Sequence, residues 1–121
     1  MIPYGKHHID RDDIKSVVKV LKSNNLTQGP IVSAFEREIS KYVGSKYSVA
    51  VTSCTAGLHL AAIVSGMKKG KNLLTSPITF VSTANSALLC GAKTLFADID
   101  VNTVNLSTSS IKSIVLKNFQ S

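Results

Sequence analysis

The stretch Tyr47-Ser48-Val49-Ala50-Val51-Thr52-Ser53-Cys54-Thr55-Ala56-Gly57-Leu58-His59-Leu60 decides how this chain folds. Its first half is short, apolar and β-branched, and reads as a buried strand over 47–52. Its second half is rich in Ala and Leu and reads as a helix over 55–65, stopped at Gly66. Small residues join the two halves. A strand that runs through a small-residue turn into a helix N-terminus points unpaired N–H groups, and the positive end of the helix dipole, at the turn. Small side chains let a phosphate approach the backbone, so the stretch predicts a phosphorylated ligand or cofactor.

Working outward, the same alternation continues. Asn72–Ser76 reads as a short strand ended by Pro77. Residues 81–89 read as a helix ending near Gly91, and Lys93–Ala97 as a further strand closed by Asp98-Ile99-Asp100. Ser107 or Ser109 is placed to cap a last helix through Ile111, Ile114, Val115 and Phe119. Strands and helices in alternation predict an α/β fold with a mostly parallel sheet and helical crossovers. The segments Ser53–Ala56, Pro77–Phe80 and Asp98–Asp100 follow the three strands, where ligands gather in open parallel sheets.

Upstream the pattern is helical. Asp10 caps a helix whose Ile14, Val17, Val18 and Leu21 share one face. Leu26-Thr27-Gln28-Gly29-Pro30 is a loop, with Pro30 suited to a first helical turn. Val32, Phe35, Ile39, Tyr42 and Val43 line one face of the second helix, and Gly44 stops it. Two regions are therefore expected: a helical segment over 1–45 and a partial α/β domain over 46–121.

Composition narrows the function classes. The chain has 121 residues and 44% apolar content, which suits a globular domain. No apolar run is long enough to span a bilayer, and Met1–Lys6 does not open a signal peptide, so the expected setting is cytoplasmic, away from membranes. Cys54 and Cys90 are far apart and form neither a metal motif nor a disulfide framework, so no metal site is expected. The net charge of +7 comes from scattered lysines. Only Lys68-Lys69-Gly70-Lys71 clusters, without aromatic residues to stack bases, which argues against nucleic acid and for an anionic small molecule. His7, His8 and His59 have no partner pattern. Asp98 and Asp100 read as turn residues after a strand.

Five blocks in order carry a resemblance. They are Leu26-Thr27-Gln28-Gly29-Pro30; Phe35-Glu36 with Tyr42-Val43-Gly44; Ser53–Leu60; Ser76-Pro77-Ile78-Thr79-Phe80-Val81-Ser82-Thr83-Ala84-Asn85; and Phe96-Ala97-Asp98-Ile99-Asp100. Together they cover about residues 2–107. They resemble the N-terminal part of the pyridoxal-phosphate-dependent nucleotide-sugar aminotransferases of the DegT/StrS type. The finer likeness is to members that aminate C4 of a UDP-linked 4-keto-6-deoxy N-acetyl hexose on the pseudaminic acid route. The resemblance implies the fold-type-I large domain, a three-layer α/β/α arrangement with a mostly parallel sheet, present here in incomplete form.

It also implies roles for named residues. Cys54, Thr55 and Ala56 would hold the phosphate of pyridoxal 5'-phosphate. Relatives mostly carry Gly or Ala where Cys54 stands, and Cys is small enough to fit. Phe80 would stack on the pyridine ring. Tyr4, Asn24, Asn25, Leu26 and Thr27 match segments that contact the sugar nucleotide. Read without the resemblance, Thr55 is equally a helix cap, Phe80 a core residue and Asn24–Thr27 an ordinary loop.

The implied substrates are a nucleotide-linked keto sugar and glutamate, and the implied full-length assembly is a homodimer. The Schiff-base lysine and the acidic partner of the pyridine nitrogen belong to segments expected beyond Ser121, so no catalytic residue is assigned within the chain. The expected function is thus that of an N-terminal fragment of a sugar aminotransferase, inactive alone. The alternative is a catalytically inactive fragment that binds phosphate or a partner subunit. A self-contained nucleotide-binding α/β domain ranks last, because neither G-x-G-x-x-G nor G-x-x-x-x-G-K-[ST] occurs.

Overall fold

The computed structural model describes residues 5–119, and the position predicted for Tyr4 lies outside them. The chain divides into two compact units, Met1–Ala50 and Val51–Ser121.

The first unit is built on two helices. Helix α1 spans Arg11–Leu21 and starts at a capping box. The Asp10 carboxylate accepts the N–H groups of Asp12 and Asp13 at 2.8 and 2.9 Å, and the Asp13 carboxylate accepts the Asp10 N–H at 3.0 Å. Helix α2 spans Pro30–Val43, with Pro30 in its first turn and Gly44 in the left-handed conformation at φ +69° just past its end. The apolar stripes read from sequence are present on both helices, but Ile14, Val17, Val18, Leu21, Val32, Phe35 and Val43 are all exposed.

The second unit is an α/β unit. Helix α3 (Cys54–Val64) leads through a lysine-bearing loop to strand β1 (Asn72–Thr75), helix α4 (Val81–Leu89), strand β2 (Lys93–Phe96) and helix α5 (Thr108–Phe119). The two strands pair in parallel, with Asn72 opposite Lys93 and Thr75 opposite Phe96. Helix α4 is the crossover. It packs on both strands and on α3. Small residues make this close approach possible. Ser82, Ser86 and Ala87 of α4 are buried together with Thr75, Ala92 and Ala97. The Thr94 hydroxyl donates to the Ala84 carbonyl at 2.9 Å and ties β2 to the helix.

The α/β reading with a parallel sheet is thus realised, and one strand is not. Residues 47–52 form no regular secondary structure, and Tyr47, Val49 and Val51 are exposed rather than buried. A strand exists only when a neighbour takes its N–H and C=O groups. Among the described residues β1 and β2 pair with each other, and nothing pairs with 47–52.

Beyond β2 the chain makes a tight loop closed by an antiparallel bridge between Ile99 and Leu106. The Asp98 N–H donates to the Ser110 hydroxyl at 2.8 Å, and the Ser107 N–H donates to the Asp98 carbonyl at 2.9 Å, which fastens the start of α5 to the end of β2. Ser107, not Ser109, occupies the cap position of α5: its hydroxyl accepts the Ser110 N–H at 3.3 Å. Among the described residues no helix is long and apolar enough to cross a membrane.

Candidate functional site

The stretch expected to hold a phosphate, the cradle, forms the first turn of α3. Ser53 stands before it in extended conformation (φ −161°, ψ 160°), and its hydroxyl accepts the Ala56 N–H at 3.1 Å. The Gly57 N–H donates to the Ser53 carbonyl at 3.0 Å. Ser53 therefore is the cap, and Thr55 is not. Two donors of the first turn are left over: among the described residues the N–H groups of Cys54 and Thr55 have no acceptor. Both residues are exposed, and Ala56 is half-buried.

These N–H groups lie at the positive end of an 11-residue helix that carries no charged side chain of its own. The arrangement suits a phosphate dianion: two adjacent backbone donors, the Thr55 hydroxyl on the same turn, and no carboxylate in that turn to repel it. The residues present therefore fit the phosphate group of pyridoxal phosphate.

Gly57 explains how the turn is held. A Cβ there would stand 3.3 Å from the Val51 Cγ2, tighter than ordinary contact. Glycine lets the residue entering the turn lie against the helix it feeds.

Phe80 is the N-cap residue of α4, extended at φ −68° and ψ 140°, and is 73% exposed. It is not a core residue. Its carbonyl accepts the Thr83 N–H at 3.0 Å, and the Thr79 and Thr83 hydroxyls are 3.1 Å apart across the turn. Because α3 and α4 pack together, the cradle and Phe80 belong to the N-terminal ends of two adjoining helices of the same unit.

Asn24, Asn25, Leu26 and Thr27 belong to the other unit, in the loop between α1 and α2, and all four are exposed. The loop is tight. The Ser23 hydroxyl lies 3.3 Å from both the N–H and the carbonyl oxygen of Asn25. Gln28 adopts φ +52°, and a Cβ on Gly29 would meet the Asn25 Cβ at 3.0 Å and its carbonyl oxygen at 3.1 Å. Gly29 is therefore required by close approach to Asn25, a role that its position before Pro30 does not reveal.

Sequence reasoning also missed Glu36. Its carboxylate accepts the Ala50 N–H at 2.8 Å and so ties the segment after α2 back to that helix. The only signal was its place beside Phe35 in a quoted block, one of two acids on the second helix. A cleft of about 500 Å³ in the same unit is lined by Ser33, Arg37, Lys41, Lys46 and Ser48. It contains none of the predicted site residues, and its lysines are engaged at the surface, Lys41 with Glu38 at 2.8 Å and Lys46 over the Tyr47 ring at 5.3 Å.

Asp98 and Asp100 behave as turn residues. The Asp100 carboxylate accepts the N–H groups of Asn102 and Thr103 at 2.9 and 3.0 Å. Those two N–H bonds, Thr103 first, hold its carboxyl below the usual carboxylate range.

Comparison with known proteins places this geometry. The spore coat polysaccharide biosynthesis protein SpsC of Bacillus subtilis is 43% identical over 114 residues, which is 94% of this chain and 29% of that protein. A UDP-4-amino-4,6-dideoxy-N-acetyl-beta-L-altrosamine transaminase of Campylobacter jejuni is 41% identical over 118 residues, covering 98% of this chain and 31% of the relative. Among solved structures, a Streptococcus pneumoniae protein described as a sugar aminotransferase, in its PLP form, superposes with a TM-score of 0.88 at 26% identity over 93% of this chain and 29% of its own. Helicobacter pylori PseC, an aminotransferase of pseudaminic acid biosynthesis, superposes at 0.85 with 30% identity over 93% of this chain and 30% of its own.

The chain thus spans about three-tenths of the length of the relatives it matches. The covered part has the fold-type-I sugar aminotransferase fold, whose cofactor is pyridoxal phosphate. Residues 7–120 match the DegT/DnrJ/EryC1/StrS aminotransferase family, and the chain belongs to that family.

Proposed function

We propose that this chain is the N-terminal share of a pyridoxal-phosphate-dependent aminotransferase that moves an amino group from glutamate to a nucleotide-linked keto sugar in surface glycan synthesis. The observation that carries the reading is the pair of unpartnered N–H groups at Cys54 and Thr55, set on a fold shared with a sugar aminotransferase in its PLP form. Bound pyridoxal phosphate supplies the carbonyl that carries the amino group and the ring that draws electrons from the bond being broken. Within this chain, Cys54, Thr55 and Ala56 grip the phosphate, and Phe80 offers its exposed ring to the face of the pyridine. Tyr4, Asn24, Asn25, Leu26 and Thr27 contact the sugar nucleotide. The helical region over 1–45 serves the substrate and the region over 46–121 serves the cofactor.

The lysine that bonds the cofactor is assigned outside residues 1–121, and the chain alone is inactive. None of the twelve lysines lies in the turn at 53–57 or in the segment 77–80, which supports this assignment. The complete enzyme is a homodimer in this reading. The same placement of the lysines favours the alternative, a chain that binds phosphate or a partner subunit without amino transfer. Amino transfer by the purified 121-residue chain would exclude both the alternative and the claim of inactivity.

The cradle is tested with Cys54→Pro. Proline fits the first position of a helix and follows an extended residue well, while deleting one N–H. A hydrogen bond to a charged group contributes about 1.5–3 kcal/mol, so affinity for pyridoxal phosphate should fall about tenfold or more. Affinity for pyridoxal, which lacks the phosphate, and helix content by circular dichroism should not change. Equal affinity of the two proteins for pyridoxal phosphate would remove the phosphate role of this turn.

A further inference from the structure

We draw no further inference here: the strongest candidate, the uncovered apolar face of helix α3 at Leu60, Ile63 and Val64, carries nothing because nothing in the structure shows what covers it.

Discussion

The Glu36 carboxylate accepts the backbone N–H of Ala50 at 2.8 Å, across 14 positions of sequence. A helix side chain here does what a neighbouring strand would otherwise do, satisfying a backbone donor in the unpaired 47–52 segment. The bond ties the middle of α2 to the segment that follows it, within the first unit.

Glu36→Ala should speed amide hydrogen exchange at Ala50 by about fivefold to tenfold, the effect of losing about 1 kcal/mol of hydrogen bonding. Glu36→Gln keeps an oxygen acceptor and should show a smaller change. Unaltered exchange at Ala50 in Glu36→Ala would mean that the bond is not formed in solution.

Val104 adopts φ +60°, a conformation in which its branched Cβ crowds the following carbonyl. Val104→Gly should therefore stabilise the loop by about 1 kcal/mol. The Asp100 N–H, which donates to the Asn105 carbonyl at 2.8 Å, reports it. Its exchange should slow by about fivefold. Faster exchange would show that the flexibility gained by the unfolded chain outweighs the strain relieved.

Asp100 makes the same loop sensitive to acid. Its carboxyl is held below the usual range when folded, by the N–H groups of Thr103 and then Asn102. The unfolded chain therefore takes up the proton first on acidification. The carboxylate's contribution is present above the ordinary carboxylate range and is lost as pH falls through the lowered folded value. Protection of the Asn102 and Thr103 amides, followed by NMR, should decline over that acidic window and be flat above it. Asp100→Asn should flatten the profile throughout; an identical acid response in this variant would assign it to another group.

The packing of the whole chain yields a prediction about its cooperativity. Among the described residues the buried apolar ones are Ala87, Ala92 and Ala97, and no large side chain is fully buried. Phe35, Val49, Leu60, Ile63 and Phe80 stay exposed. A core this small leaves little margin over the conformational entropy of ordering the chain. The purified 121-residue chain should be poorly soluble, bind a hydrophobic dye such as ANS, and unfold gradually in denaturant. A sharp two-state transition in a soluble monomer without dye binding would contradict this.

Local chemistry made much of the fold legible. Asp10, Pro30, Gly44 and Ser107 mark helix ends because caps and left-handed stops act within one turn of the residue that provides them. The alternation of β1, α4 and β2 was readable because each element's pattern is complete within it. The cradle was legible for the same reason, since a strand-like run, small residues and a helix start lie in one continuous stretch.

What depended on residues distant in the chain was not legible. The strand propensity of 47–52 stayed unrealised because pairing needs a partner, and propensity does not supply one. The apolar stripes of α1 and α2 are real, yet exposed, because a stripe is buried only by what packs on it. Ser110 on Asp98 and Glu36 on Ala50 join positions 12 and 14 apart, which no local pattern connects. By itself the sequence determined where helices begin and end and where small residues open a helix N-terminus, since those follow from interactions a few residues apart. Only the tertiary structure decided which apolar faces are covered and which polar groups meet, because those require segments remote in sequence to come within bonding distance.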